Sequence, residues 1–185
     1  ETNEGLEKKW QTIGPSEIPV NDESPIPIEM TQEDIDRVVL EFKNAAQRSL
    51  EAGFEIIEIH GAHGYLLHSF FSPISNKRSD KYGGNLENRM RFGIEVVRNV
   101  RKVWSEEKPL FFRISSIDGA ENGSTLEENI IYAKELKKAG VDFIDCSSGG
   151  IGGSPVLMKS KIIPGFQVPF AERIRIVKSI KHVDG

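Results

Sequence analysis

Residues 58–73, EIHGAHGYLLHSFFSP, place several proton-exchanging side chains directly after a short apolar run. His60 and His63 are followed closely by Tyr65, and glycines lie between them. Each neutral imidazole can donate one N–H to a common acceptor, such as a carbonyl oxygen that gains negative charge during a reaction. A phenol keeps its proton at neutral pH and can deliver it to a carbanion-like carbon. The set predicts polarisation and protonation of an unsaturated carbonyl, with the hydride supplied by a separate redox cofactor.

Arg113 is a further candidate because it lies inside the apolar run PLFFRIS, residues 109–115. A guanidinium in an apolar strand is unfavourable unless it meets an anion. One possible partner is an anionic ligand, such as the N1–C2 carbonyl edge of a reduced flavin. The other is Glu58, which shares a strand face with His60 because the two are separated by one residue. The sequence leaves both partners open.

Five other features that resemble functional sites have simpler interpretations. The His60-x-x-His63 pair could bind a metal, but no cluster of further ligands follows at suitable spacing, so no metal is predicted. The glycine-rich stretch SGGIGGSP lacks the GxGxxG arrangement of a dinucleotide site. Cys146 lies in an apolar run and is predicted to be an inert core thiol. His68 is expected to be a solvated or helix-packing residue, and His182 a surface residue.

The flanking residues alternate between helical and strand patterns. Capping residues and apolar spacing predict four helices: 31–53, one that begins at 85, 125–140 and 169–181. Short β-rich runs predict three strands: 54–60, 109–115 and 141–147. Residues 61–84 are interpreted as a polar loop, whose part NKRSDKYGG is expected to be an ion-paired scaffold. Residues 1–30, rich in proline and polar residues, are interpreted as an irregular excursion.

The alternation of helices and strands predicts a parallel sheet covered by helices. The segments AGFEIIEI and AGVDFIDC repeat one scheme, which favours a TIM (β/α)8 barrel built from similar units. A doubly wound open sheet is the alternative. A complete barrel has eight strands in about 250 residues, whereas three are predicted here. Residues 31–185 are therefore expected to be the central portion of one barrel domain, with both ends of the barrel missing.

In a parallel α/β fold, ligands bind beyond the carboxyl ends of the strands. His60 ends the first predicted strand, Arg113 lies near the end of the second, and the motif CSSGG closes the third. Polar groups from all three strands are therefore expected to meet on one rim.

Composition excludes several other classes of function. The 185 residues carry a net charge of −4, with a pI of about 5.7 and scattered basic residues, which argues against binding to nucleic acid or to an anionic membrane. A single cysteine excludes an internal disulfide and fits a reducing compartment. The acidic start ETNEGLEKKW does not resemble a signal peptide, and no apolar run is long enough to span a bilayer. A cytoplasmic, unanchored protein is expected.

These residues resemble the Old Yellow Enzyme family of NADH:flavin oxidoreductases and NADPH dehydrogenases. The resemblance covers nearly the whole chain, and is carried by the motifs GPSEIPV, EIHGAHGYLLHSFFSPISNKRSDKYGGNLENRMRF, LFFRIS, GVDFIDCSSGG and PGFQVPFAERIR. Histidine stands at the second site, where many members have asparagine. With DCSSGG and PGFQVPFAE, this resembles the bacterial thermophilic-like subclass.

The resemblance implies a TIM barrel that binds FMN non-covalently and is reduced by NADPH or NADH. Hydride then passes to the β-carbon of a small enone or related activated alkene, as in an ene-reductase. It implies that His60 and His63 bind the carbonyl or nitro oxygen, that Tyr65 protonates the α-carbon, and that Arg113 contacts the flavin ring. The family's other flavin-binding segments have no counterpart here, so this chain alone is expected to bind FMN weakly or not at all.

Two other functions are kept as alternatives. The chain could be a catalytically incompetent barrel fragment that acts only as a structural or interaction module, covering its open sheet edges by forming a homo-oligomer. It could also belong to a different TIM-barrel enzyme that uses the histidines as acid and base on a sugar or phosphate.

Overall fold

The computed structural model describes residues 11–152 and 164–175. The elements in chain order are β1 (Ile13–Gly14), β2 (Ile28–Glu29), α1 (Gln32–Glu51), β3 (Ile57–Gly61), α2 (Leu66–Phe71), α3 (Leu86–Arg101), β4 (Leu110–Ser115), α4 (Leu126–Ala139), β5 (Phe143–Ser147) and α5 (Val168–Arg175). β1 and β2 form a short parallel pair, and β3, β4 and β5 form a parallel sheet in that order. Among the described helices, none is both long and apolar enough to cross a bilayer.

The predicted starts of α1, α3 and α4 are confirmed, and at each of the three a side chain satisfies a free backbone amide. Thr31 begins α1 and Thr125 begins α4, both with complete capping boxes. The Asn85 side chain accepts a hydrogen bond from the Asn88 amide and begins α3. Gly140 ends α4 in the left-handed conformation. The final helix includes Pro169 and is described to residue 175, so its predicted end near 181 and His182 lie outside the described residues.

Among the described residues, helices pack against one face of the β3–β4–β5 sheet and leave the other face open. Ile59, Phe112 and Ile114 point into the helix-covered core. Alternate residues on the same strands, including His60 and Arg113, point to the open face, because side chains alternate along a strand. The largest fully buried side chains are Trp104, Tyr82, Tyr132, Phe70, Phe71, Phe92 and Phe112. Helices on a single face favour part of a barrel over a doubly wound sheet, in which both faces are covered.

Two strand starts differ from the predictions by two or more residues, one helix was not predicted, and the excursion predicted to be irregular contains the two-residue strands β1 and β2. β3 begins at Ile57, three residues later than predicted, because Phe54 donates its amide to Ser49 at the end of α1. β5 begins at Phe143, since the Val141 amide is bonded to the last turn of α4. The predicted loop contains α2, a six-residue helix too short to show a clear helical period.

The loop after α2 anchors the excursion formed by residues 11–30. The Arg78 guanidinium forms an ion pair with Asp80 at 2.6 Å and donates hydrogen bonds to the carbonyl oxygens of Pro15 and Met30. This confirms the interpretation of residues 76–84 as an ion-paired scaffold.

Candidate active site

Strand register brings the predicted charged residues into one row on the open face. His60 is the register partner of Arg113, and Arg113 is the partner of Asp145. Arg113 Nε lies 3.1 Å from Asp145 Oδ2 in an ion pair whose members are both partly exposed. Asp145 is therefore the carboxylate beside Arg113. Glu58, which the sequence offered for that place, is paired in register with Phe111 and interacts with the charge of Arg113, but the ion pair described for Arg113 is with Asp145.

The three predicted proton-exchanging side chains form one cluster at the carboxyl end of β3. The ring centroids of His60 and His63 are 5.2 Å apart, and those of His60 and Tyr65 are 5.0 Å apart. Tyr65 is 63% exposed, so its hydroxyl group is open to a ligand. The structure thus brings together the residues that the sequence singled out.

Two serines at the ends of neighbouring strands hold His63. The Ser115 hydroxyl accepts a hydrogen bond from the His63 amide at 3.0 Å and donates to the Gly149 carbonyl oxygen at 2.7 Å. The His63 ring nitrogen Nε2 lies 2.5 Å from Ser147 Oγ. Sequence reasoning did not assign these serines. Their only signal is that each ends a predicted strand, where site residues concentrate.

The glycine-rich segment after β5 makes room for the histidine loop. Gly150 has a φ of +106°, and a Cβ there would lie 2.3 Å from the His63 carbonyl carbon. A Cβ on Gly64, which has a φ of +78°, would lie 2.3 Å from the Gly150 carbonyl oxygen. Two glycines are therefore needed for the close approach of these loops.

Electrostatics keep the imidazoles uncharged. Partial burial, followed by the positive charge of Arg113, lowers the pKa of both His60 and His63 from the ordinary histidine value. Burial, with repulsion from Asp145, raises the pKa of Glu58. Near neutral pH both imidazoles are thus N–H donors without a net charge.

These shifts predict that His60 and His63 weaken the fold in mild acid. With pKa values lowered below 6.5 in the folded state, they add stability that is present above pH 6.5 and lost as the pH falls through the folded values. The free energy of unfolding, measured by urea denaturation from pH 5 to 8, should fall more steeply with acidification in the wild type than in a His60→Gln, His63→Gln double variant. The raised pKa of Glu58 is present in both proteins and cancels. If the free energy of unfolding falls equally with pH in the two proteins, the lowered pKa values of His60 and His63 are contradicted.

His68 is not solvated, because it is a buried residue of α2, and besides packing there it makes hydrogen bonds that the sequence did not suggest. It is 1% exposed and hydrogen-bonded on both ring nitrogens, to Gly64 and to Asp118. Among residues 11–152 and 164–175, no group of three or more His, Cys, Asp or Glu side chains is arranged to hold a metal ion. Cys146 lies in β5, and burial raises the pKa of its thiol.

The fold matches barrel oxidoreductases of known structure. A 2-naphthoyl-CoA reductase in complex with 2-naphthoyl-CoA matches with a TM-score of 0.78 and 32% identity, over 90% of this chain and 26% of that one. The old yellow enzyme homologue from Zymomonas mobilis matches with a TM-score of 0.73 and 26% identity, over 92% of this chain and 49% of that one. The chain therefore folds as part of a TIM barrel of the Old Yellow Enzyme type, as predicted.

The chain belongs to the NADH:flavin oxidoreductase / NADH oxidase family, whose family model matches residues 5–155. It is 50% identical to an NADPH dehydrogenase of Geobacillus sp. strain WCH70, over 89% of this chain and 47% of the relative. It is 46% identical to an NADPH dehydrogenase of Bacillus subtilis strain 168, over 91% of this chain and 48% of the relative. The chain thus spans about half the length of these relatives. The family is one of flavin oxidoreductases, and both relatives are NADPH dehydrogenases.

Proposed function

We propose that this chain is the central portion of an FMN-dependent NAD(P)H oxidoreductase that reduces the activated C=C bond of a small α,β-unsaturated carbonyl or nitro compound. The observation that supports this most strongly is the cluster of His60, His63 and Tyr65 at the end of β3, beside Arg113 on the neighbouring strand. Two uncharged N–H donors and a phenol suit a substrate whose oxygen gains charge while its carbon gains a proton.

The described residues fit the edge of an FMN ring. Arg113 Nε is a buried atom with no aligned hydrogen bond, although Asp145 lies close enough for an ion pair. The rest of the guanidinium faces the open side of the sheet, where an anionic ring edge would complete its interactions. Bound FMN would supply the hydride that none of these side chains can provide.

His60 and His63 would bind the substrate oxygen and stabilise its developing negative charge. Gln167 donates to the hydroxyl groups of Ser147, at 3.4 Å, and Ser148, at 3.1 Å, which leaves the Ser147 hydroxyl hydrogen free for His63 Nε2. We propose that the Ser147 hydroxyl donates this hydrogen to Nε2, so that His63 carries its own proton on Nδ1 and offers Nδ1–H to the substrate. Tyr65 would deliver its proton to the α-carbon from the exposed side of the cluster.

Replacing Arg113 with methionine is expected to weaken FMN binding by the full-length protein about tenfold or more, because a charge-assisted hydrogen bond contributes about 1.5–3 kcal/mol. Arg37→Met is the matched control, since Arg37 lies on the exposed surface of α1 and its ion pair within the described part of the chain is with Asp34. Fluorescence titration with FMN measures the dissociation constant of each variant. Equal affinities in the two variants would contradict the proposed role.

The activity itself is tested by anaerobic assay of the full-length, FMN-loaded protein with NADPH and a cyclic enone. NADPH consumption that matches enone loss is the expected result. Absence of the flavin absorbance band, or NADPH oxidation without enone loss, would count against the proposal. Turnover of a sugar or phosphate substrate that requires the histidines but not Tyr65 would instead favour acid–base chemistry by a different TIM-barrel enzyme.

The non-catalytic alternative has one observation in its favour. Phe143 is 58% exposed on the open face and contacts Phe111 at a ring distance of 4.7 Å, which leaves apolar surface for another protein segment to cover. Size-exclusion chromatography combined with FMN titration of this chain separates the two functions. A monomer that binds FMN tightly would exclude the function as a structural or interaction module.

A further inference from the structure

We infer that His68, held by Asp118, is a positioning residue that fixes the turn at His63 and Gly64 and with it the spacing between the two imidazole donors. The inference rests on the proposed function of His60 and His63. His68 is not a catalytic residue, because it is 1% exposed and both of its ring nitrogens are already hydrogen-bonded within the protein.

The hydrogen bonds of His68 define its protonation. Its Nδ1 accepts from the Gly64 amide at 2.9 Å, so Nδ1 carries no proton. Its Nε2 lies 2.8 Å from Asp118 Oδ1 and carries the proton that it donates there. His68 is therefore a neutral imidazole that connects a backbone amide of the site to a buried carboxylate.

Asp118 is equipped to stay ionised in this position. Although it is fully buried, its carboxylate accepts hydrogen bonds from His68, Ser72 and Ser124, and hydrogen bonds to the charged form of a carboxyl group favour that form. Ser72 Oγ donates to Oδ2 at 2.6 Å, and Ser124 donates from its amide and its hydroxyl, each at 2.7 Å. The carboxylate thus joins α2 to the loop before α4, and His68 has one orientation.

The turn needs such support because its backbone is unfavourable. His63 has a φ of +59° and Gly64 a φ of +78°, and the left-handed region is unfavourable for a histidine. A residue stays in that region only where its surroundings hold it there. The two consecutive amides of the turn are each held from another element, that of His63 by Ser115 and that of Gly64 by His68. Release of the Gly64 amide would let the His63 ring move relative to His60.

Two isosteric variants separate positioning from a purely structural role. In His68→Asn, the side-chain oxygen can take the position of Nδ1 and accept the hydrogen bond from the Gly64 amide, but the shorter side chain does not reach Asp118. In His68→Gln, the side-chain amide can stand where Nε2 stood and donate to Asp118, but Gly64 has no acceptor. Both variants are expected to have a lower melting temperature than the wild type.

In the full-length, FMN-loaded protein, His68→Gln is expected to lower kcat/KM for a cyclic enone about 10- to 100-fold, as small misplacements of binding groups do. His68→Asn should stay within about threefold of the wild type. Imidazole ¹⁵N spectra should show a shifted His63 signal in His68→Gln alone. Equal losses in both variants, no loss in either, or a loss in His68→Asn alone would overturn the inference.

If neither variant folds, the wild type still decides. In ¹⁵N-histidine spectra of the full-length wild type at neutral pH, His68 is expected to carry its proton on Nε2 only. A proton on Nδ1 would overturn the inference. If the wild type reduces no alkene, the proposed function is wrong, but the inference about His68 is still open to test. The ¹⁵N signals of His63 in the two variants then decide whether His68 positions the turn.

Discussion

Replacing Tyr65 with phenylalanine is expected to slow alkene reduction by a factor of about 10² to 10⁴, which is the usual contribution of a positioned general acid. Reduction of the flavin by NADPH should stay nearly unchanged, because that step takes no proton from this phenol. The protein should keep its stability, since Tyr65 is 63% exposed and its ring contact with His60 needs no hydroxyl group.

Stopped-flow spectroscopy of the full-length protein separates the two half-reactions for this test. Tyr82→Phe is the control, because it also removes one phenol hydroxyl, but from a buried tyrosine that bonds to Glu95 at 2.9 Å. The control should lose stability and keep alkene reduction. A Tyr65→Phe protein that reduces the alkene within about twofold of the wild type, or that slows both half-reactions equally, would remove Tyr65 as the proton donor.

Replacing Gly150 with alanine is expected to destabilise the fold by about 2–5 kcal/mol and to displace His63. A new Cβ would overlap the His63 backbone at 2.3 Å, and it would also add the strain of a side chain at a φ of +106°. Overpacking costs about 1–3 kcal/mol, and a side chain in the left-handed region costs about 1–2 kcal/mol. Backbone atoms cannot move aside as the end of a flexible side chain can, so both effects are expected in full.

Gly84→Ala is the matched control for this change. Gly84 has a φ of +79°, and no atom lies within 4 Å of a Cβ built there, so it carries the strain of about 1–2 kcal/mol without the overlap. Urea denaturation measures the free energy of unfolding of both variants. The additional loss in Gly150→Ala is due to the overlap between the new Cβ and His63. Equal losses of unfolding free energy would show that the loops do not approach each other as described.

Much of the fold was predictable because its signals are local. The capping boxes at Thr31 and Thr125 act within one turn of helix, and the apolar runs that became β3, β4 and β5 need only their own composition. The prediction that His60, His63, Tyr65 and Arg113 lie on one rim follows from the parallel order of strands, whose carboxyl ends share an edge. The helix α2 was missed because six residues are too few to define a period.

The sequence by itself determined which groups could act at the site, because residue type and strand position set their chemistry and their edge of the sheet. Only the tertiary structure decided what holds them. Asp145 stands beside Arg113 through strand register, and His68 reaches Asp118 across fifty positions of sequence. The approach of Gly150 to His63 likewise joins segments far apart in the chain. Such contacts depend on how separate elements pack, and that packing leaves no local pattern in the sequence.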